Sequence, residues 1–175
     1  MELLRQPVKG IFFDLGWTLV YPPSGDWEFT QPAQKLFNWE VYQSLPKERT
    51  AAVRKEANDY LEALKGRYKL GIISDTWPSI VPVLARFGIL PYFDAITYSF
   101  QLGCFKPNPR MFQDALSKMG LPAQECVFID DVARNLEGAA KVGIQPVQIR
   151  VKPDADPCPQ GMASIGKISG ILELL

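Results

Sequence analysis

The residues best suited to chemistry in this sequence stand at the ends of short apolar runs. "GIFFD" ends in Asp14, with Gly16, Trp17 and Thr18 close behind, and "LGIIS" ends in Ser74, followed by Asp75 and Thr76. "CVFID" ends in Asp130 and leads at once to Asp131, with Asn135 one helical turn further on. "GCFKPNP" places Lys106 just before a helix start. Several carboxylates brought to one mouth repel each other and raise each other's pKa unless a cation neutralises them. Oxygen ligands without histidine or cysteine specify a hard ion, Mg²⁺ above all. Lys106 adds a second positive charge able to hold a phosphoryl group beside Asp14. Ser74 and neighbouring backbone N–H groups can bind the remaining phosphate oxygens. Positioning and charge neutralisation are what phosphoryl transfer chiefly requires.

Composition narrows the choice further. The chain of 175 residues contains no histidine, which removes Ser-His-Asp and Cys-His nucleophile systems and imidazole metal sites. Lysine plus arginine balance aspartate plus glutamate at 19 each, and no dense basic cluster favours nucleic acid. Cys104, Cys126 and Cys158 are odd in number and make no close-spaced metal pattern; a reducing, cytoplasmic compartment is expected. No apolar run is long enough to span a bilayer, and the opening "MELLRQPVKG" lacks the apolar region of a signal peptide, so no membrane partner is expected. The sequence leaves the oligomeric state open.

These residues need a frame that brings strand ends together. Apolar runs alternate with segments of helical period, the pattern of an α/β protein with a mainly parallel sheet. Strands are expected at Val8–Asp14, Lys69–Ser74, Ala95–Tyr98, Cys126–Asp130 and Pro146–Val151, continuously apolar where both faces are covered. Helices are expected between Pro46 and Gly66, from Pro78 to Phe87, and from Val132 to Val142. Another should run from the cap Asn108 through Pro109 to Gly120. The Pro-rich "KPDADPCPQG" reads as a surface connection to a short C-terminal helix with Ile165, Ile168, Leu172 and Leu175 facing inward. Residues 21–64 fit the alternation badly and read as a flap and small helical cap within a single domain of residues 1–175. The aromatic side chains Trp17, Trp27 and Trp39 gather in or beside it.

In an open parallel sheet the active site lies outside the carboxyl ends of the strands. With Asp14 and Thr18, then Ser74, then Lys106 before Pro107, then Asp130–Asp131, the chain resembles the haloacid dehalogenase (HAD) superfamily, four motifs in the family's order over roughly residues 8 to 150. The resemblance implies a Rossmann-like three-layer sandwich with a cap inserted after the first strand. It also implies a Mg²⁺-dependent phosphatase of a small phosphorylated metabolite, in which Asp14 attacks phosphorus to form an aspartyl-phosphate that water hydrolyses. By the same resemblance the metal set is Asp14, the backbone carbonyl of Gly16, Asp131 and Asp130, with Asn135 behind it. Substrate contacts fall to Ser74, Asp75, Thr18, Lys106 and Trp17.

Gly16 departs from the family pattern. Most family phosphatases carry an aspartate there that protonates the leaving oxygen and then activates water, help worth about 10²–10⁴ in rate. An acidic leaving group needs that help less, and Asp26 or Glu28 in the flap are candidate replacements. Two alternatives follow. One is a weakened HAD fold that binds a phosphorylated ligand or a protein. The other is a metal-independent dehalogenase, whose halide leaves without a proton but which leaves Asp130–Asp131 unexplained. Taken singly, Asp14 reads as a turn residue, the acidic pair as helix caps and Lys106 as a surface lysine. Only their joint order argues for a site.

Overall fold

The computed structural model describes residues 4–5, 7–16, 18–19, 61–78, 80–150 and 155–175. The expected flap and most of the expected cap, with Trp17, Trp27, Trp39, Asp26 and Glu28, lie outside these residues. Six strands form one sheet: β1 (Gly10–Phe13), β2 (Lys69–Ser74), β3 (Ala95–Tyr98), β4 (Cys126–Asp130), β5 (Gln145–Ile149) and β6 (Ala163–Ile165). Their order is β3-β2-β1-β4-β5-β6, and every neighbouring pair is parallel. The chain runs outward from β1 through β2 to β3, then returns to β4 on β1's other flank and continues outward. The direction of winding therefore reverses between β1 and β4, and the crevice outside their carboxyl ends is where such sheets bind ligands.

Helices α1 (Ile80–Phe87), α2 (Ser99–Leu102), α3 (Pro109–Met119) and α4 (Ala133–Lys141) connect the strands. One face of the sheet, carrying Ile11, Phe13, Ile72, Val127 and Ile129, packs on Ile80, Leu84 and Phe87 of α1 and on Ile168 and Ile171. The other face, carrying Phe12, Ile73 and Phe128, packs on Met111, Phe112, Ala115 and Met119 of α3 and on Leu136 and Ala139 of α4. Both faces of the central strands are dry, which is why those strands read as unbroken apolar runs. The Rossmann-like three-layer α/β sandwich is therefore present. Among the described residues, no helix is long and apolar enough to cross a membrane.

The helix punctuation holds where the sequence marks it. The Asn108 side chain accepts from Arg110 N at 3.0 Å, Pro109 opens α3, and Gly120 closes it in the left-handed region at φ 66°. Pro82 sits in the first turn of α1, where its missing N–H breaks no helical hydrogen bond. The C-terminal segment differs from expectation. Ile165 belongs to the short strand β6 beside β5, and a 3-10 helix over Ile168–Glu173 takes the place of the expected helix. Leu172 there is exposed, not inward-facing. A three-residue strand has too few positions to show a period.

Two glycines allow close approach. At Gly71 an added Cβ would lie 2.5 Å from the Phe12 ring, so β2 leaves room for that aromatic side chain beside it. At Gly138 on α4 an added Cβ would lie 2.5 Å from Pro107 Cβ and 3.0 Å from its carbonyl oxygen. Helix α4 thus presses against the residue that follows Lys106. Gly138→Ala is expected to lower stability by about 1–3 kcal/mol in denaturant melts, because the obstructing atoms include backbone. A melt indistinguishable from that of the unmodified protein would contradict the packing.

Candidate active site

The acidic side chains meet at the crevice between β1 and β4. Phe13 is in register with Ile72 and Ile129, and Asp14 N continues the ladder by donating to Ile129 O at 2.9 Å. This continuation sets Asp14 level with Asp130 and one residue short of Ser74. Oxygen atoms of Asp14, Asp130 and Asp131 all lie within 4.8 Å of one another.

Lys106 fills the gap between them. Its buried Nζ donates to Asp14 Oδ1 at 2.5 Å and to Asp130 Oδ2 at 2.7 Å, and it lies 5.3 Å from the centre of the Phe128 ring beneath it. The peptide bond from Lys106 to Pro107 is cis. Lys106 N donates to Asp75 Oδ1 at 2.9 Å, so the Asp75 carboxylate fixes the lysine's backbone. Ser99 Oγ accepts from Thr76 N at 2.9 Å and donates to Thr76 O at 3.1 Å, stitching the loop after β2 to α2. These hydrogen bonds hold together two loops that the sequence separates by more than twenty residues.

Asp130 is engaged at both oxygens. Oδ1 accepts from Val132 N at 2.8 Å, and Oδ2 accepts from Asn135 Nδ2 at 3.0 Å as well as from Lys106. It therefore caps the start of α4 and orients the lysine at once. Ser74 and Thr18 are both buried near this cluster, at the end of β2 and just past β1, while Gly16 is half-buried. The Thr18 Oγ1 and Asn135 Oδ1 atoms are buried and meet no partner among the described residues. Trp17 lies outside the described residues. Trp77, three residues past Ser74, is 47% exposed.

The electrostatics follow from burial. Burial pushes the Asp14 carboxyl up to about 8, against the pull of Lys106 and with the repulsion of Asp130 and Asp131 added. Burial also raises Asp75, again against Lys106. Burial works against the Lys106 ammonium, yet Asp130, Asp14 and Asp75 together hold it well above the ordinary lysine value. One ammonium thus faces more carboxylates than it can neutralise. Three carboxylates within 4.8 Å of one another make an all-oxygen donor set, which fits a hydrated hard cation. The Cys126 thiol is buried in the second core cluster and pushed up to about 11 by that burial, as suits a packing thiol.

Sequence reasoning passed over Ser99, Gln148 and Asp156. Gln148 Nε2 donates to Asp156 O at 3.0 Å and to Asp131 O at 3.4 Å. The available signal was a glutamine inside the apolar run "PVQIRV", which a buried strand tolerates only with partners.

The haloacid dehalogenase-like hydrolase family matches residues 24–143. Among curated relatives, the glyceraldehyde 3-phosphate phosphatase of Methanocaldococcus jannaschii is 34% identical over 87 residues, 46% of this chain and 36% of that protein. The fructose-1-phosphate phosphatase YqaB of Escherichia coli is 25% identical over 153 residues, 81% of each. The chain thus spans about a third of the length of the archaeal relative. Two solved structures share the fold. A dehalogenase crystallised with an intermediate complex superposes with a TM-score of 0.71 at 20% identity, covering 98% of this chain and 99% of the other. The HAD-hydrolase YfnB from Bacillus subtilis bound to magnesium superposes with a TM-score of 0.69 at 12% identity, covering 97% and 99%. Sequence match and fold agree: this chain belongs to the haloacid dehalogenase-like hydrolases.

Proposed function

We propose that this hydrolase is a phosphatase of a small phosphorylated metabolite, with Asp14 as the nucleophile and Mg²⁺ as the cofactor. The observation that carries the reading is the clustering of Asp14, Asp130 and Asp131 within 4.8 Å of one another, with Asp14 and Asp130 both held by the ammonium of Lys106. Relatives that act on sugar and triose phosphates support the substrate class.

Asp14 and Asp131 would hold the cation, together with the Gly16 carbonyl. Asp130, already committed to Lys106, Asn135 and the start of α4, adds charge and orientation. When bound, the cation neutralises the surplus carboxylate charge and draws a phosphate dianion to Asp14. The Asp14 carboxylate attacks phosphorus, the ester oxygen leaves with the bonding pair, and water later cleaves the resulting aspartyl-phosphate. Lys106 stays protonated throughout and holds Asp14 in line while offsetting charge on the phosphoryl oxygens. Ser74, Thr18 and backbone N–H groups of the loop after β2 would bind those oxygens. Asp75 serves by fixing the Lys106 backbone.

Gly16 supplies no proton, so rates should depend steeply on the leaving group. Aryl or anomeric phosphates are expected to turn over faster than simple alkyl phosphates. Gly16→Asp should raise turnover of an alkyl phosphate by about 10² or more, measured as phosphate release. An unchanged rate would show that another group already donates the proton.

Asp14→Asn should reduce Mg²⁺-dependent phosphate release by about 10³ or more across a panel of esters. A metal-free dehalogenase is the competing reading, favoured by Gly16 and by a 27%-identical haloacid dehalogenase of Burkholderia cepacia. Halide release from a 2-haloacid in excess chelator, with no phosphate release from any ester, would establish it instead. Phosphate-ester binding with no turnover would point to a binding module.

Burial of Asp14 also predicts a pH dependence. The folded carboxyl holds its proton up to about 8, whereas the ordinary value is 3.8. Between those values the folded protein binds more protons than the unfolded chain, so stability without metal falls as pH rises. Asp14→Asn should flatten that decline in thermal melts. Mg²⁺ must displace the proton, so its stabilising shift should be larger at pH 8.5 than at pH 6. A shift independent of pH would contradict this assignment.

A further inference from the structure

Gln148 sits on β5 directly beside Asp130, the two being register partners, and it is fully buried. Its Nε2 donates to Asp156 O at 3.0 Å and to Asp131 O at 3.4 Å. Two backbone carbonyls facing one end of the carboxamide leave only one assignment, because an amide oxygen turned toward them would repel both. Oε1 must therefore point the other way, where it is buried and has no partner among the described residues. A buried acceptor left without a donor is costly to the fold.

Asp156 reaches the same turn from the other side. Its Oδ2 accepts from Ala133 N at 3.4 Å, giving the first turn of α4 the cap that Val132 has no side-chain group to provide. The turn carrying Asp131 is thus held on both sides by residues distant in sequence, with Gln148 as the link. Asn135 repeats the pattern on α4: its Nδ2 is bound to Asp130 and its Oδ1 is buried without a partner. Both amide side chains thus give their nitrogen ends to the acidic turn, the kind of support behind a ligand set that holds its geometry.

The geometry points to Gln148 as a positioning residue for a divalent cation: its carboxamide donors tie the Asp131 backbone carbonyl to Asp156 and so fix where the Asp131 carboxylate stands. This rests on the proposal that the acidic group holds Mg²⁺. The role is separable from ordinary packing because the same strand carries a matched control. Gln145, at the opposite end of β5, is also buried and bonds to Arg5 and to Gln124 O, remote from the acidic pair.

The test is calorimetric titration of the full chain with Mg²⁺ alone, alongside thermal melts. Gln148→Met should weaken Mg²⁺ binding by about 10–100-fold. Gln145→Met should lower the melting temperature yet leave the Mg²⁺ dissociation constant within about twofold of the unmodified protein. If Gln148→Met proves unfolded, Gln148→Asn, which keeps a neutral carboxamide but draws its donors back from the Asp131 carbonyl, is read the same way. Unchanged Mg²⁺ affinity in a folded Gln148 variant would overturn the proposal, as would equal weakening by Gln145→Met. An unmodified protein that takes up no Mg²⁺ would defeat the metal reading itself, and this inference with it.

Discussion

The site is organised by one ammonium group buried among carboxylates. Lys106 Nζ touches Asp14 and Asp130 at once, and both contacts are shut off from water. Burying such charges costs several kcal/mol each, and only their mutual attraction and further hydrogen bonds offset it. That balance explains why so many other groups are committed to the lysine. Asp75 fixes its backbone, Phe128 lies under its head, and Gly138 gives α4 room against the proline that follows. Removing one carboxylate would leave the ammonium less compensated, and removing the lysine would leave three carboxylates facing each other.

The same imbalance makes the site receptive. A fully neutralised cluster would have no affinity for a cation or for a phosphate drawn to one. Here burial raises the Asp14 carboxyl, so a cation held there as proposed would have to displace a proton. The amide side chains of Asn135 and Gln148 brace the acidic turn, Asn135 by donating to Asp130 and Gln148 by donating to the Asp131 and Asp156 carbonyls. Gly16 has no side chain to supply a proton, so in the proposed reaction that lack would bear on the leaving group and not on how the charged groups assemble.

Much of the frame was legible because period and punctuation are local properties. Strands β1 to β5 were legible from their mostly apolar residues and flanking turn signals, and α3 was marked at both ends by Asn108 and Gly120. The short strand β6 and helix α2 were not legible. Both are stabilised by what they lie against, and neither stretch shows a period of its own. The candidate residues were legible for a related reason, since polar side chains that end apolar runs must face the sheet's edge.

The sequence by itself determined which chemistry is available: carboxylates, one well-placed lysine and hydroxyls, with no imidazole and no acid at position 16. It also determined the parallel frame that sends strand ends to one side. Only the tertiary structure decided which of these groups touch. Lys106 meets Asp14 across 92 positions of chain and Asp130 across 24, and Gln148 reaches the carbonyl of Asp131 across 17. Contacts of that range depend on strand order and register, which place β1 between β2 and β4 and align Asp130 with Gln148. No local pattern encodes a distance between two such residues; the sheet does.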